Sequence, residues 1–197
     1  MKQKVQFTGQ YKGREPLFMQ KYIALLRGVN VGGNNKISMP ELKTAFEENG
    51  FTEVATYINS GNVIFKSSLE SISEIQRKCV QAITDTFKQN IPVAILSAKD
   101  LSASMNNAPD WWGTAGDIKH NAIFAIPPAT PETIIAEVGA PKPEYEKVAY
   151  YGQVIFWSAP LKTFSRTRWS KIVGTAVYDS VTIRNANTAR KLLQLVE

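Results

Sequence analysis

Apolar positions along the chain fall into short strand-like runs and helical stripes, separated by turn residues. Tyr22 to Leu26 is an apolar run that empties into a glycine- and asparagine-rich loop, Gly28 to Lys36. A helix start follows at once. Ser38-Met39-Pro40-Glu41 reads as a capping box with proline early in the first turn, and the predicted helix runs from Met39 to Asn49 with Gly50 as its C′ residue. Val54 to Asn59 and Asn62 to Lys66 are β-rich runs flanking Ser60-Gly61, a pair suited to a tight turn with positive φ. Ile72, Ile75, Cys79, Ile83 and Phe87 then recur at helical spacing inside a predicted helix, Leu69 to Gln89, and Val93 to Leu96 is a short strand. The order is βαββαβ, the ferredoxin-like split motif.

After a Ser-, Asn-, Asp-, Gly- and Pro-rich stretch from Ser97 to Lys119, read as a short helix and an irregular connection, the pattern begins again. His120 to Ile126 is a strand. Thr130-Pro131 opens a helix to Val138, and Tyr145 to Tyr151 and Val154 to Trp157 form a hairpin about Gly152. Residues 160–179 read as partly helical, Val181 to Arg184 as a strand, and Asn187 as the cap of a closing helix, Thr188 to Val196. Gly61-Asn62-Val63-Ile64-Phe65 and Gly152-Gln153-Val154-Ile155-Phe156 hold the same place in each copy, which points to an internal duplication. The expected class is α+β: two ferredoxin-like halves, residues 19–97 and 120–197, joined by 98–119 and preceded by a flexible extension, 1–18. Trp111 and Trp112 of the connection are expected to plug the junction between two half-cores, with a stacking surface as the functional alternative.

Composition narrows the class. The 197 residues are 44% apolar, yet no apolar run approaches the roughly 18 residues a membrane span requires, and no signal-peptide pattern opens the chain. A single cysteine, Cys79, excludes an intrachain disulfide and a cysteine-based metal cluster, so a reducing cytoplasm is the expected compartment and a buried thiol its expected state. The net charge of +6 is localised: Lys162, Arg166, Arg168, Lys171, Arg184, Arg190 and Lys191 face Asp179 alone between Lys162 and Val196. Such a surface calls for an anionic partner, whether nucleic acid, a phosphorylated small molecule or an acidic protein.

Three separated segments, ALLRGVNVGGNNKISMPELK at 24–43, SGNV at 60–63 and VTIRNANTARKLLQL at 181–195, resemble the bacterial domain-of-unknown-function family sixteen ninety-seven. The resemblance runs from about Met19 to the end. It implies a cytoplasmic protein with a duplicated α+β fold, and since the family has no established activity it lends no catalytic residues.

Two candidate sites follow from the residues. The Gly28 to Lys36 loop lacks both the Walker A and the dinucleotide spacings, which removes ATPase and Rossmann assignments. Its donors beside a helix start, Arg27, Asn30, Gly32, Gly33, Asn34 and Lys36, form a candidate cradle for an anion. Its alternative is a plain long turn. The second candidate is Arg166, Arg168 and Lys171 in the stretch SRTRWSK, with Arg184 nearby in sequence, where arginine forks suit phosphate; Trp169 there is expected to be core. The lone histidine, His120, is expected to contact Asp117. No cofactor or metal site is predicted and catalysis stays open. Nucleic-acid binding is narrowly preferred over a small-molecule enzyme acting at the loop, with a dimerising interaction module third.

Overall fold

The computed structural model describes residues 18–32, 35–114 and 116–197. The expected extension therefore lies outside the described residues except for Phe18. Strand β1 (Gln20–Leu26), helix α1 (Met39–Glu48), β2 (Thr52–Tyr57), β3 (Asn62–Ser67), α2 (Ile72–Phe87) and β4 (Val93–Ser97) form the first half. Its antiparallel sheet has the order β2-β3-β1-β4, the ferredoxin-like arrangement that the element order predicts. α3 (Ala98–Asn106) follows β4 directly, capped by Ser97. In the second half β5 (Ile118–Ala125), α4 (Pro131–Val138), β6 (Lys147–Tyr151), β7 (Val154–Pro160) and β8 (Val181–Asn185) repeat the same strand order, β6-β7-β5-β8, and α5 (Ala186–Val196) follows β8 as α3 follows β4.

Alternation along the strands assigns the layers. Tyr22, Ala24 and Leu26 of β1 face α1 and α2, together with Phe65, Ile75, Cys79 and Ile83. Ile23 and Leu25 point the other way, into a second core shared between the halves. There the sheets bury Ile64, Ala94, Ala122, Phe124 and Phe156 with Leu101 of α3 and Leu192 of α5. Trp112 sits in this middle core, edge-on to Phe156, and its indole N–H donates to the Asn121 carbonyl at 2.8 Å. The tryptophan plug thus lies where the sequence places it. The outer face of the second sheet packs Ile123, Ile155, Trp157 and Val181 on α4 and Trp169. Two ferredoxin-like sheets back to back, with α3 and α5 at the join, make one α+β body.

Local departures from the sequence reading have local causes. Residues 161–180 form three 3-10 turns, Leu161–Arg166, Trp169–Gly174 and Ala176–Ser180, where the first half has α2. The hydroxyls of Thr167 and Thr175 donate to carbonyls three residues back, Phe164 at 2.6 Å and Ile172 at 2.7 Å, and so close 3-10 rather than α turns. The closing helix is capped two residues earlier than expected: Asn185, not Asn187, accepts from Thr188 N–H at 2.8 Å. Ser38 accepts from Glu41 N–H at 3.4 Å, which supplies one arm of the expected capping box.

Candidate functional site

The loop after β1 is built by Asn30. With φ of 55° it turns the chain, and its side chain donates to the carbonyls of Ile37 at 2.9 Å and Asn59 at 2.8 Å while accepting from Ile37 N–H at 2.9 Å. Its amide is therefore occupied by the loop it holds. Arg27 is turned away from the loop: its guanidinium reaches Asp179 at 2.6 Å, donates from Nε to the Tyr178 carbonyl at 2.8 Å and lies 4.5 Å from the Tyr178 ring centre. Gly32 is exposed, and Gly33 and Asn34 lie outside the described residues. Of the candidate donors, Asn30 and Lys36 line an open groove of about 690 Å³, walled also by Asn59, Phe87 and the Ser38 to Glu41 start of α1.

Arg184 is displaced furthest from its expected role. It is 6% exposed, and all of its nitrogens are engaged by the protein. Nε donates to Asn62 Oδ1 at 2.6 Å, Nη1 to Thr182 Oγ1 at 2.8 Å and the Ile183 carbonyl at 2.9 Å, and Nη2 to the carbonyls of Leu26 and Ser60 at 2.9 Å. Burial without a carboxylate lowers its pKa to about 10. Gly61 makes the approach possible: at φ of 70°, a Cβ there would lie 2.7 Å from Leu26 Cβ. The three segments that carry the family resemblance thus meet at this one clamp, β8 gripping the end of β1 and the β2–β3 turn.

Arg166 ends the first 3-10 turn, Arg168 precedes the second and Lys171 lies on it, and all three are exposed. Arg166 lies 5.7 Å from the Tyr145 ring centre. Beneath them is a residue the sequence reading passed over. Glu146, 3% exposed, accepts from four N–H groups: Lys142 at 3.1 Å, Arg168 at 2.7 Å, Trp169 at 3.1 Å and the Trp157 indole at 3.1 Å. A buried carboxylate satisfied by backbone and indole donors, rather than by a cation, leaves the arginines above it unneutralised. Trp169 is fully buried, as expected.

His120 pairs with Ser158, not with Asp117: its Nδ1 and the Ser158 hydroxyl are 2.5 Å apart, while the Asp117 carbonyl is taken by Leu161 N–H. Burial pushes its pKa below the ordinary value; the nearby Thr114 carbonyl opposes this and the Arg190 charge adds to it. Burial raises the Cys79 thiol far above its usual range, so it is unreactive where it stands. Among the described residues no group of three metal-ligating side chains converges, and no helix is long and apolar enough to cross a membrane.

Over residues 19–156 the chain matches the family model described as "Protein of unknown function (DUF1697)". Among solved structures it is similar to the conserved bacterial protein SP0830 from Streptococcus pneumoniae, at 31% identity and a TM-score of 0.81, over 91% of this chain and 100% of that one. No curated protein matches it.

Proposed function

The chain belongs to this family of proteins of unknown function, and on that footing we propose that it binds a polyanion, nucleic acid first, through Arg166, Arg168 and Lys171. One observation carries the reading. Among the described residues, Lys162, Arg166, Arg168 and Lys171 make no salt bridge, and Asp179, the only acid between Lys162 and Val196, is taken by Arg27. Lys142, whose Nζ donates to the Arg166 carbonyl at 3.1 Å, extends the same surface. Exposed cations left without acidic partners gain most from a ligand that is a row of phosphates, because each contact releases condensed counterions. A cytoplasmic setting, with its reduced thiols and nucleic acids, agrees with this reading.

The test is fluorescence anisotropy of a labelled single-stranded oligonucleotide across a salt series. Each phosphate contact contributes about −0.7 to the log–log slope, so the triple variant R166A/R168A/K171A is expected to flatten the slope by about 2 and to weaken binding at every salt concentration. A response flat in salt, or a triple variant that binds like the parent, removes the proposal. The 690 Å³ groove favours a second reading, a small anionic metabolite held by Lys36 and the start of α1. Stabilisation by one sugar phosphate or nucleotide that Lys36→Ala abolishes would select it.

A further inference from the structure

Two four-stranded sheets present four edges, and the fold treats them unequally. β4 is buried along its whole length, with β8 packed against it. β2 is blunted: its register with β3 shifts between Thr52 and Ala55, Glu53 there has φ of 49°, and its exposed carboxylate lies 2.6 Å from Lys66 Nζ. A bulge and a charge of this kind keep an edge from pairing with another chain. β6 has no bulge. It runs on β7 in unbroken register from Lys147↔Ser158 to Tyr151↔Val154, and among the described residues no strand pairs with its other side. It also carries two large exposed side chains, Tyr150 at 45% and Tyr151 at 44%.

The hairpin sets which backbone groups of β6 are free. Tyr151 and Val154 close a two-residue turn whose first central residue, Gly152, has φ of 55°. Such a closing pair exchanges both of its hydrogen bonds, so Ala149 and Lys147 bond β7 in the same way, while Val148 and Tyr150 turn N–H and C=O outward. Their side chains lie on the face of Trp157 and Ile155, and those of Lys147, Ala149 and Tyr151 on the face of Phe156.

We propose that β6 is a self-pairing edge, joining a second copy of this chain by antiparallel addition about a two-fold axis at Ala149. In that register Val148 stands opposite the partner's Tyr150, and each such pair exchanges two main-chain bonds, four in all. The side chains agree with it. Val148 against tyrosine is a β-branched and aromatic pair, Lys147 meets the partner's Tyr151 as a cation beside a ring, and no like charges face each other. A symmetric contact of this type makes closed dimers and consumes the edge completely. Five paired residues, about 17 Å of strand, make a small interface, so the dimer is reversible and concentration-dependent. It is independent of polyanion binding.

The register can be read by cross-linking. Ala149 faces its own copy as a non-hydrogen-bonded pair, about 4.5 Å between Cα atoms, within reach of a disulfide; Tyr151 is four residues, about 13 Å, from its copy along the strand. Cys79 is buried and does not compete. The full chain carrying Ala149→Cys is expected to form a covalent dimer under mild oxidation, and Tyr151→Cys to stay monomeric on a non-reducing gel. Sedimentation of the parent over a concentration series should rise towards twice the monomer mass. Tyr150→Pro removes an outward N–H that the fold itself does not use and should abolish that rise, with circular dichroism reporting the fold, whereas R166A/R168A/K171A should leave it unchanged. A parent that stays monomeric at every concentration, or cysteines at 149 and 151 that cross-link equally, overturns the proposal.

Discussion

Arginines of equal promise in the sequence have opposite fates in the fold. Arg184 stands in a run of cations, but as the fourth residue of β8 its side chain enters the seam between the halves, where carbonyl oxygens of the first half await donors. Nothing in the charge pattern reveals that, because the acceptors are backbone atoms more than a hundred residues away. Replacing Arg184 by alanine strands buried Asn62 Oδ1, removes the donor from the Ser60 carbonyl and leaves the Leu26 carbonyl with the Thr182 hydroxyl at 3.2 Å. A loss on the order of 3 kcal/mol in urea unfolding is expected, with Arg184→Lys intermediate, since an ammonium keeps the charge but lacks the fork. An alanine variant within about 0.5 kcal/mol of the parent would mean that the clamp contributes no more than an ordinary surface residue does.

At the scale of elements, the strands were the most legible, because alternation and the Gly61 and Gly152 turns mark them directly. The stretch 161–180 was the least. Trp169, Ile172, Val173 and Ala176 have helical spacing, yet Thr, Ser and Gly between them favour hydroxyl-closed 3-10 turns, a competition that apolar periodicity does not register. Glu146 was missed for a related reason: one of two acids beside a proline-rich turn, it reads, like Glu144, as solvent-facing charge, and its four donors assemble only when 142–146, β7 and the second 3-10 turn come together. Glu146→Gln places an amide NH2 against those N–H groups. A cost of about 1–3 kcal/mol is expected, with a reduced near-ultraviolet circular dichroism signal as Trp157 and Trp169 loosen. An unchanged spectrum and stability would show that the turns hold without that carboxylate.

For the molecule as a whole, the repeated element order disclosed the two-sheet architecture, but it gave no sign that the halves meet through the undersides of their sheets. Each sheet hides apolar residues on both faces, and the inner face of the first, with Ile23, Leu25, Ile64 and Leu96, is covered by α3 and by the second half with α5. A fragment ending at Asn106 would keep α3 but leave the rest of that face wet. It is expected to show secondary structure without a cooperative unfolding transition and to bind a hydrophobic dye, whereas the full chain unfolds in one step. Two independent transitions in the full chain would contradict the shared core. The candidate sites were less legible than the fold. The exposed trio at 166–171 could be read from charge, while the groove beside Lys36 depends on Asn59 of the β2–β3 turn and Phe87 at the end of α2, which no motif marks.

The exchange of one long crossover helix for three short turns makes the two copies of a single topology unequal. In the first copy α2 is packed along its length, so nearly every change of residue on its inner stripe is felt by the core. In the second, Trp169, Ile172 and the hydroxyl closures fix the path, and the outward positions between them are left with few steric obligations. Natural variation among relatives can therefore accumulate in residues 161–180 while the frame stays constant, which makes that stretch the part of the architecture best placed to diverge in what it recognises.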